Sequence, residues 1–112
     1  MSSIAFALPI VPGKEAEDRD ALEEMVGSRR DEYEQARRTA GIQREAVWHQ
    51  ETPQGTIAVV YLEADDVGAA MQAIGTSEAP FDRWFRDTMK DVHGVDLAEP
   101  APPPQLIMDV SL

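Results

Sequence analysis

Residues 42–63 read IQREAVWHQETPQGTIAVVYLE, and the fold turns on this stretch. Two runs rich in β-branched and aromatic residues, Ile42–Glu51 and Thr56–Glu63, flank the tetrapeptide Thr52-Pro53-Gln54-Gly55. Proline at the second turn position and glycine at the fourth match a type I turn, so the stretch predicts an antiparallel hairpin. A two-residue loop sets Arg44 opposite Glu63, Ala46 opposite Tyr61 and Trp48 opposite Val59; a bulge would move that register by one. The second run is apolar on both faces: Ala58, Val60 and Leu62 on one, Ile57, Val59 and Tyr61 on the other. A strand of that kind asks for cover on both sides of its sheet.

On the N-terminal side, Ile4–Val11 is also apolar throughout and ends at the turn signal Pro12-Gly13, which predicts another strand covered on both faces. Between it and the hairpin, Glu15 to Ala40 predicts one long helix. Leu22, Met25, Val26, Tyr33, Ala36 and Ala40 recur at helical spacing, with Arg29 completing the row. Acidic residues crowd its first half and arginines its second, the order favoured by the helix dipole, and Gly41 supplies the terminator. On the C-terminal side, Asp65 or Asp66 caps a short helix that stops near Gly75. A second helix follows from about Glu78 to His93, where Phe81, Trp84, Phe85, Thr88, Met89 and Val92 form one apolar stripe before Gly94. A proline-rich connector, Glu99–Pro104, then leads to Leu106–Leu112, read as a last short strand.

The predicted order is βαββαβ with the second helix split, over a single domain spanning 1–112. This is an α+β, ferredoxin-like arrangement, with a four-stranded antiparallel sheet and helices on one face. Since helices cover one face only, the apolar second face predicts a homodimer through the sheet faces. The element order and two-sided strands, with Pro80-Phe81-Asp82-Arg83-Trp84-Phe85-Arg86 through His93-Gly94-Val95-Asp96, resemble the dimeric α+β barrel superfamily. Small uncharacterised bacterial members are the most similar. That superfamily includes cofactor-independent monooxygenases, lactone isomerases, stress-responsive barrels and ligand-sensing domains, so the resemblance implies a fold and not one activity. No Asn–Trp–Arg monooxygenase constellation falls on these residues.

Composition narrows the classes. The chain has 112 residues, with 10 Lys and Arg against 21 Asp and Glu, a formal charge of −11. Such a surface repels a nucleic-acid backbone or an anionic membrane. Zero cysteines exclude disulfides, thiolate catalysis and iron–sulfur clusters. No run reaches the roughly 18 apolar residues of a membrane span. Ile4–Val11 lacks a basic leader and contains Pro9, so the expected location is the cytoplasm. Neither a triad order, a phosphate loop nor a dinucleotide fingerprint is present, and no cofactor is expected.

The ligand-binding candidates are Trp48, Tyr61, Asp109, Arg44, Trp84 and His93. Trp48 and Tyr61 supply flat walls with a hydrogen-bonding end, or else pack a dimer core. Arg44 and Glu63 are either site groups or a cross-strand pair. Asp109 interrupts an apolar strand, and alternation turns it with Ile107 toward the enclosed side, there to pair with Arg44 or serve a ligand. Trp84 needs a partner for its indole N–H. His93 is either a helix-end cap or a pocket acid–base. His49 and Glu51 share a strand face, but two ligands without a third predict no metal site. The expected function is binding of a small, largely apolar molecule between sheet and helices or within the barrel. The alternatives are a structural or regulatory homodimer without ligand, and a cofactor-independent monooxygenase or isomerase. The residues leave open whether the protein is an enzyme.

Overall fold

The computed structural model describes residues 2–99 and 102–112. The hairpin forms as its sequence directs. Strands β2 (Ile42–Thr52) and β3 (Gly55–Ala64) pair antiparallel around Pro53-Gln54, with Arg44 opposite Glu63, Ala46 opposite Tyr61 and Trp48 opposite Val59. A bulge at the start of β2, between Ile42 and Arg44, lets Ile42 turn inward while Arg44 faces outward. Strand β1 (Ser2–Pro9) pairs antiparallel with the other side of β3, setting Ile4 opposite Leu62 and Phe6 opposite Val60.

The sheet therefore has three strands in the order β1-β3-β2, which corrects the four-stranded, ferredoxin-like expectation. Leu106–Leu112 forms no strand. It runs as exposed coil, with Leu106 76%, Ile107 83% and Met108 77% exposed. An unbroken apolar run is compatible with several states, and only a partner edge makes it a strand. Here the stiff Pro102–Pro104 segment precedes it and no ladder takes it up. Asp109 is exposed on the same coil, so its alternation argument, and its expected pairing with Arg44 beside Ile107, lose their premise.

The long N-terminal helix is also corrected. It divides into α1 (Glu15–Val26) and α2 (Arg30–Ala40) at Gly27-Ser28-Arg29. At Gly27 a Cβ would lie 2.8 Å from the Glu23 carbonyl oxygen, so this bend admits only glycine without rearrangement. Arg29, expected in the apolar row, instead lays its guanidinium 4.3 Å from the Trp84 ring and pairs with Glu24. The other ends follow their local signals. Gly41 and Gly94 adopt the left-handed conformation after α2 and α4, and Asp66 caps α3 (Val67–Thr76) by accepting from Ala69 N–H at 3.1 Å. Helix α3 ends at Thr76, one residue past Gly75, as expected. The Leu97 backbone lies against Gly75, where a Cβ would meet the carbonyl oxygen at 2.6 Å, so this close approach requires glycine.

All four helices pack on one face of the sheet. Ile4, Phe6, Val47, Val60 and Leu62 meet Met25 of α1, Ile74 of α3, and Phe81, Phe85, Met89 and Val92 of α4 (Pro80–His93) in one core. The other face, carrying Ala5, Ala7, Trp48, Val59 and Tyr61, has no helix over it.

Candidate functional site

Inside this sandwich lies a cavity of about 50 Å³. Its floor is strand residues, among them Phe6, Val47 and Val60, and its roof includes Leu22, Phe85 and Met89. At roughly 10–15 Å³ per water, it has room for about four waters or a molecule of similar size. Four charged or titratable side chains, Asp18, Arg37, Glu45 and His93, interrupt the apolar lining. They come from α1, α2, β2 and α4, and they fall into two clusters.

The first cluster centres on Asp18, which is 1% exposed. It occupies the apolar stripe of α1, in helical register with Ala21, Leu22 and Met25. Its Oδ2 accepts from His49 Nε2 at 2.7 Å, and its Oδ1 lies 3.4 Å from His93 Nε2. The far nitrogen of His93 donates to the Pro9 carbonyl at 2.8 Å. A carbonyl only accepts, so Nδ1 carries a proton; Nε2 faces a carboxylate, so a second proton completes an imidazolium. Burial opposes that charge, but the hydrogen bonds it donates to Asp18 and to the Pro9 carbonyl outweigh burial and hold the His93 pKa above its ordinary 6.5. Burial likewise opposes the Asp18 carboxylate, yet hydrogen bonds and charge from His93 and His49 leave its pKa below 3.8. The two form a buried ion pair.

This sets a pH profile for stability. The raised His93 value contributes stability in full below pH 6.5 and loses it as pH climbs through the folded value. The lowered Asp18 value contributes above pH 3.8 and loses it as pH falls through the folded value. Thermal unfolding across pH should therefore show a plateau between about pH 4 and 6.5 with a decline on the alkaline side. His93→Gln should flatten that alkaline limb; a limb unchanged by the substitution would contradict the pairing.

The second cluster joins Arg37, 4% exposed, to Glu45. Arg37 Nε donates to Glu45 Oε1 at 2.8 Å, and Tyr33 Oη donates to the same oxygen at 2.8 Å. The guanidinium also stacks 4.5 Å from the Phe85 ring. Burial first, then the Glu45 charge and hydrogen bond, push the Tyr33 phenol well above its usual range, so it remains a donor. Asp18 Oδ1 has the His93 imidazolium at 3.4 Å as its one neighbour of opposite charge, whereas Arg37 Nη1, which can only donate, is buried without a hydrogen-bond partner among the described residues.

Of the residues expected from sequence, only His93 lines this cavity. It sits in the last turn of α4, 5% exposed and bonded to the Pro9 carbonyl of β1. Arg44, Trp48 and Tyr61 lie together on the helix-free face, with Trp48 56% exposed and Tyr61 Oη donating to Glu63 at 2.6 Å. Trp84 is half-buried, its ring 5.6 Å from Phe81. Asp109 is exposed coil and takes part in no described strand pairing. Sequence reasoning missed Asp18, Arg37, Glu45 and Tyr33. A signal existed: Asp18 and Arg37 sit inside apolar helical stripes, and Glu45 shares the inward face of β2 with Val47 and His49. Among the described residues, no group of three His, Asp or Glu side chains is placed to hold a metal ion, and no helix is long and apolar enough to cross a membrane. The chain matches no known family model, no curated protein and no solved structure.

Proposed function

We propose that this protein binds a small, largely apolar molecule in the cavity between its sheet and helices. One observation carries the reading. An apolar enclosure of about 50 Å³ is bordered by buried polar side chains, and one of them, Arg37, keeps its Nη1 without a hydrogen-bond partner among the described residues. Buried polar groups are nearly always satisfied, and an apolar pocket bordered by a few polar groups is the usual form of a small-molecule site. A broader groove of about 270 Å³, lined by Met25, Val26 and Tyr33, shares Leu22, Glu45 and Val47 with the cavity.

Filling the cavity tests this. Ala58 is 1% exposed and lines it, so Ala58→Leu should occupy the space. Overpacking costs about 1–3 kcal/mol, which leaves the variant folded if the parent has ordinary stability. Backbone amide spectra of the wild type should shift saturably with small apolar probes or pressurised xenon, most strongly at Leu22, Val60 and Met89. Ala58→Leu should abolish those shifts. A wild type that responds to none of the probes would overturn the reading.

We also propose that the helix-free sheet face is covered by a second copy of this chain. Its strand residues include two charges, Arg44 and Glu63, opposite each other in register, so the patch is close to neutral on a chain of charge −11. Two such molecules repel least when they approach through this face. Sedimentation should show a dimer at micromolar concentration, and Trp48→Glu, which puts a charge in the patch, should yield a folded monomer. A wild-type monomer at that concentration contradicts the assembly. An acidic chain without cysteines fits a cytoplasmic setting, and we propose that location for it.

A further inference from the structure

We infer that the part of the second copy covering the helix-free sheet face is its segment Leu106–Leu112, the two chains exchanging these segments about a two-fold axis. This inference rests on the assembly reading above and names the element that makes the contact.

Seven large apolar side chains are exposed among the described residues. Five of them, Leu106, Ile107, Met108, Val110 and Leu112, sit in this one segment, and Trp48 lies on the helix-free face. Single exposed apolar residues are ordinary, but a cluster of them marks a contact surface. The two surfaces match in shape. In register across the sheet, Ala5, Tyr61 and Ala46 form one outward row and Ala7, Val59 and Trp48 the next. Along β1 that face offers only the methyl groups of Ala5 and Ala7 beside the taller Tyr61 and Val59, which makes a shallow trough parallel to the strand. The eight residues of β1 span about 26 Å, and seven residues laid out extended reach about 23 Å. Side chains of an extended segment alternate, so Leu106, Met108, Val110 and Leu112 share one side while Asp109 and Ser111 stay toward water.

Charge favours the same match. Asp109 is the one charged side chain of residues 102–112 on a chain of charge −11, and the face it approaches sets Arg44 against Glu63. Two copies thus meet through their least charged parts. The segment does not serve its own sheet, where its apolar side chains stay exposed. The chain leaves the core on the helix side, where Leu97 lies against Gly75 of α3, and Pro102–Pro104 stiffens it against a turn back around the sheet edge. The face of a neighbouring copy requires no such turn.

Sedimentation and isotope-filtered NMR separate the outcomes. In a dimer of one labelled and one unlabelled chain, the side chains of Leu106, Met108 and Val110 should contact Ala7, Val59 and Tyr61 of the other chain. Met108→Asp should raise the dimer dissociation constant by about tenfold or more, because it puts an unpaired carboxylate into an apolar contact. Ser111→Asp adds the same charge on the other side of the segment and should leave the constant unchanged. Both positions are exposed coil, so both variants keep the fold. A dimer joined face to face with Leu106–Leu112 free, or contacts of the segment with its own chain only, would overturn the inference and leave the assembly standing. Equal effects of the two substitutions would overturn it as well. A wild-type monomer at micromolar concentration would instead bring down the assembly reading, and this inference with it.

Discussion

Asp18→Ala should lower the thermal midpoint by about 10–25 °C at pH 6, the largest effect expected of any substitution in α1. The carboxylate is 1% exposed and meets two imidazoles, His49 at 2.7 Å and His93 at 3.4 Å. Its removal strands a buried imidazolium beside the Pro9 carbonyl and leaves His49 without its acceptor. Breaking a buried pair by deleting one partner costs about 3–5 kcal/mol. Each kcal/mol moves the midpoint of a domain of this size by about 3–6 °C. Asp18→Asn should cost less, because the amide still accepts from His49 and can donate to a neutral His93. Glu17→Ala, one residue away but exposed, should stay within about 0.5 kcal/mol of wild type. Equal effects of Asp18→Ala and Glu17→Ala on chemical denaturation midpoints would refute the buried pair.

Glu45→Ala should be about as damaging, and it should be rescued by a second change. The substitution removes the acceptor of both Arg37 Nε and Tyr33 Oη, leaving a guanidinium that is 4% exposed with no counter-charge. About 3–5 kcal/mol is the expected loss. Replacing both partners at once is different, since a buried ion pair exchanged for apolar groups of similar volume is often neutral or stabilising. Arg37→Met combined with Glu45→Met should therefore recover most of the lost stability. Tyr33 borders the open groove, so its hydroxyl can turn to water once Glu45 is gone. The double variant should still fold. A double variant as unstable as Glu45→Ala would show that the residues act separately.

The two clusters explain why the candidate site was poorly legible while the hairpin was not. Pairing of β2 with β3 depends on a two-residue loop and an alternation of period two, both contained in residues 42–63. The caps at Asp66, Gly41 and Gly94 act within a single helical turn, and each was visible in the local sequence. Asp18 and His49 stand 31 residues apart, and Pro9 and His93 84 apart. Nothing local distinguishes Asp18 from Glu17 or Asp20 except its place in the apolar stripe, and in a helix crowded with carboxylates that place is easily read as chance.

From its sequence alone, then, this chain determined the hairpin and its register, the ends of three helices, the split of the second helical segment and the acidic surface. Those features rest on backbone conformation, alternation and charge, which act over a few residues or through composition. Tertiary structure alone decided that Leu106–Leu112 finds no partner edge, that the first helix breaks where Gly27 admits a close carbonyl, and that Asp18, Arg37, Glu45 and His93 converge on one cavity. A strand exists only against another strand, and a buried charge is tolerable only beside its counter-charge; both conditions are met or missed by residues far away in the chain.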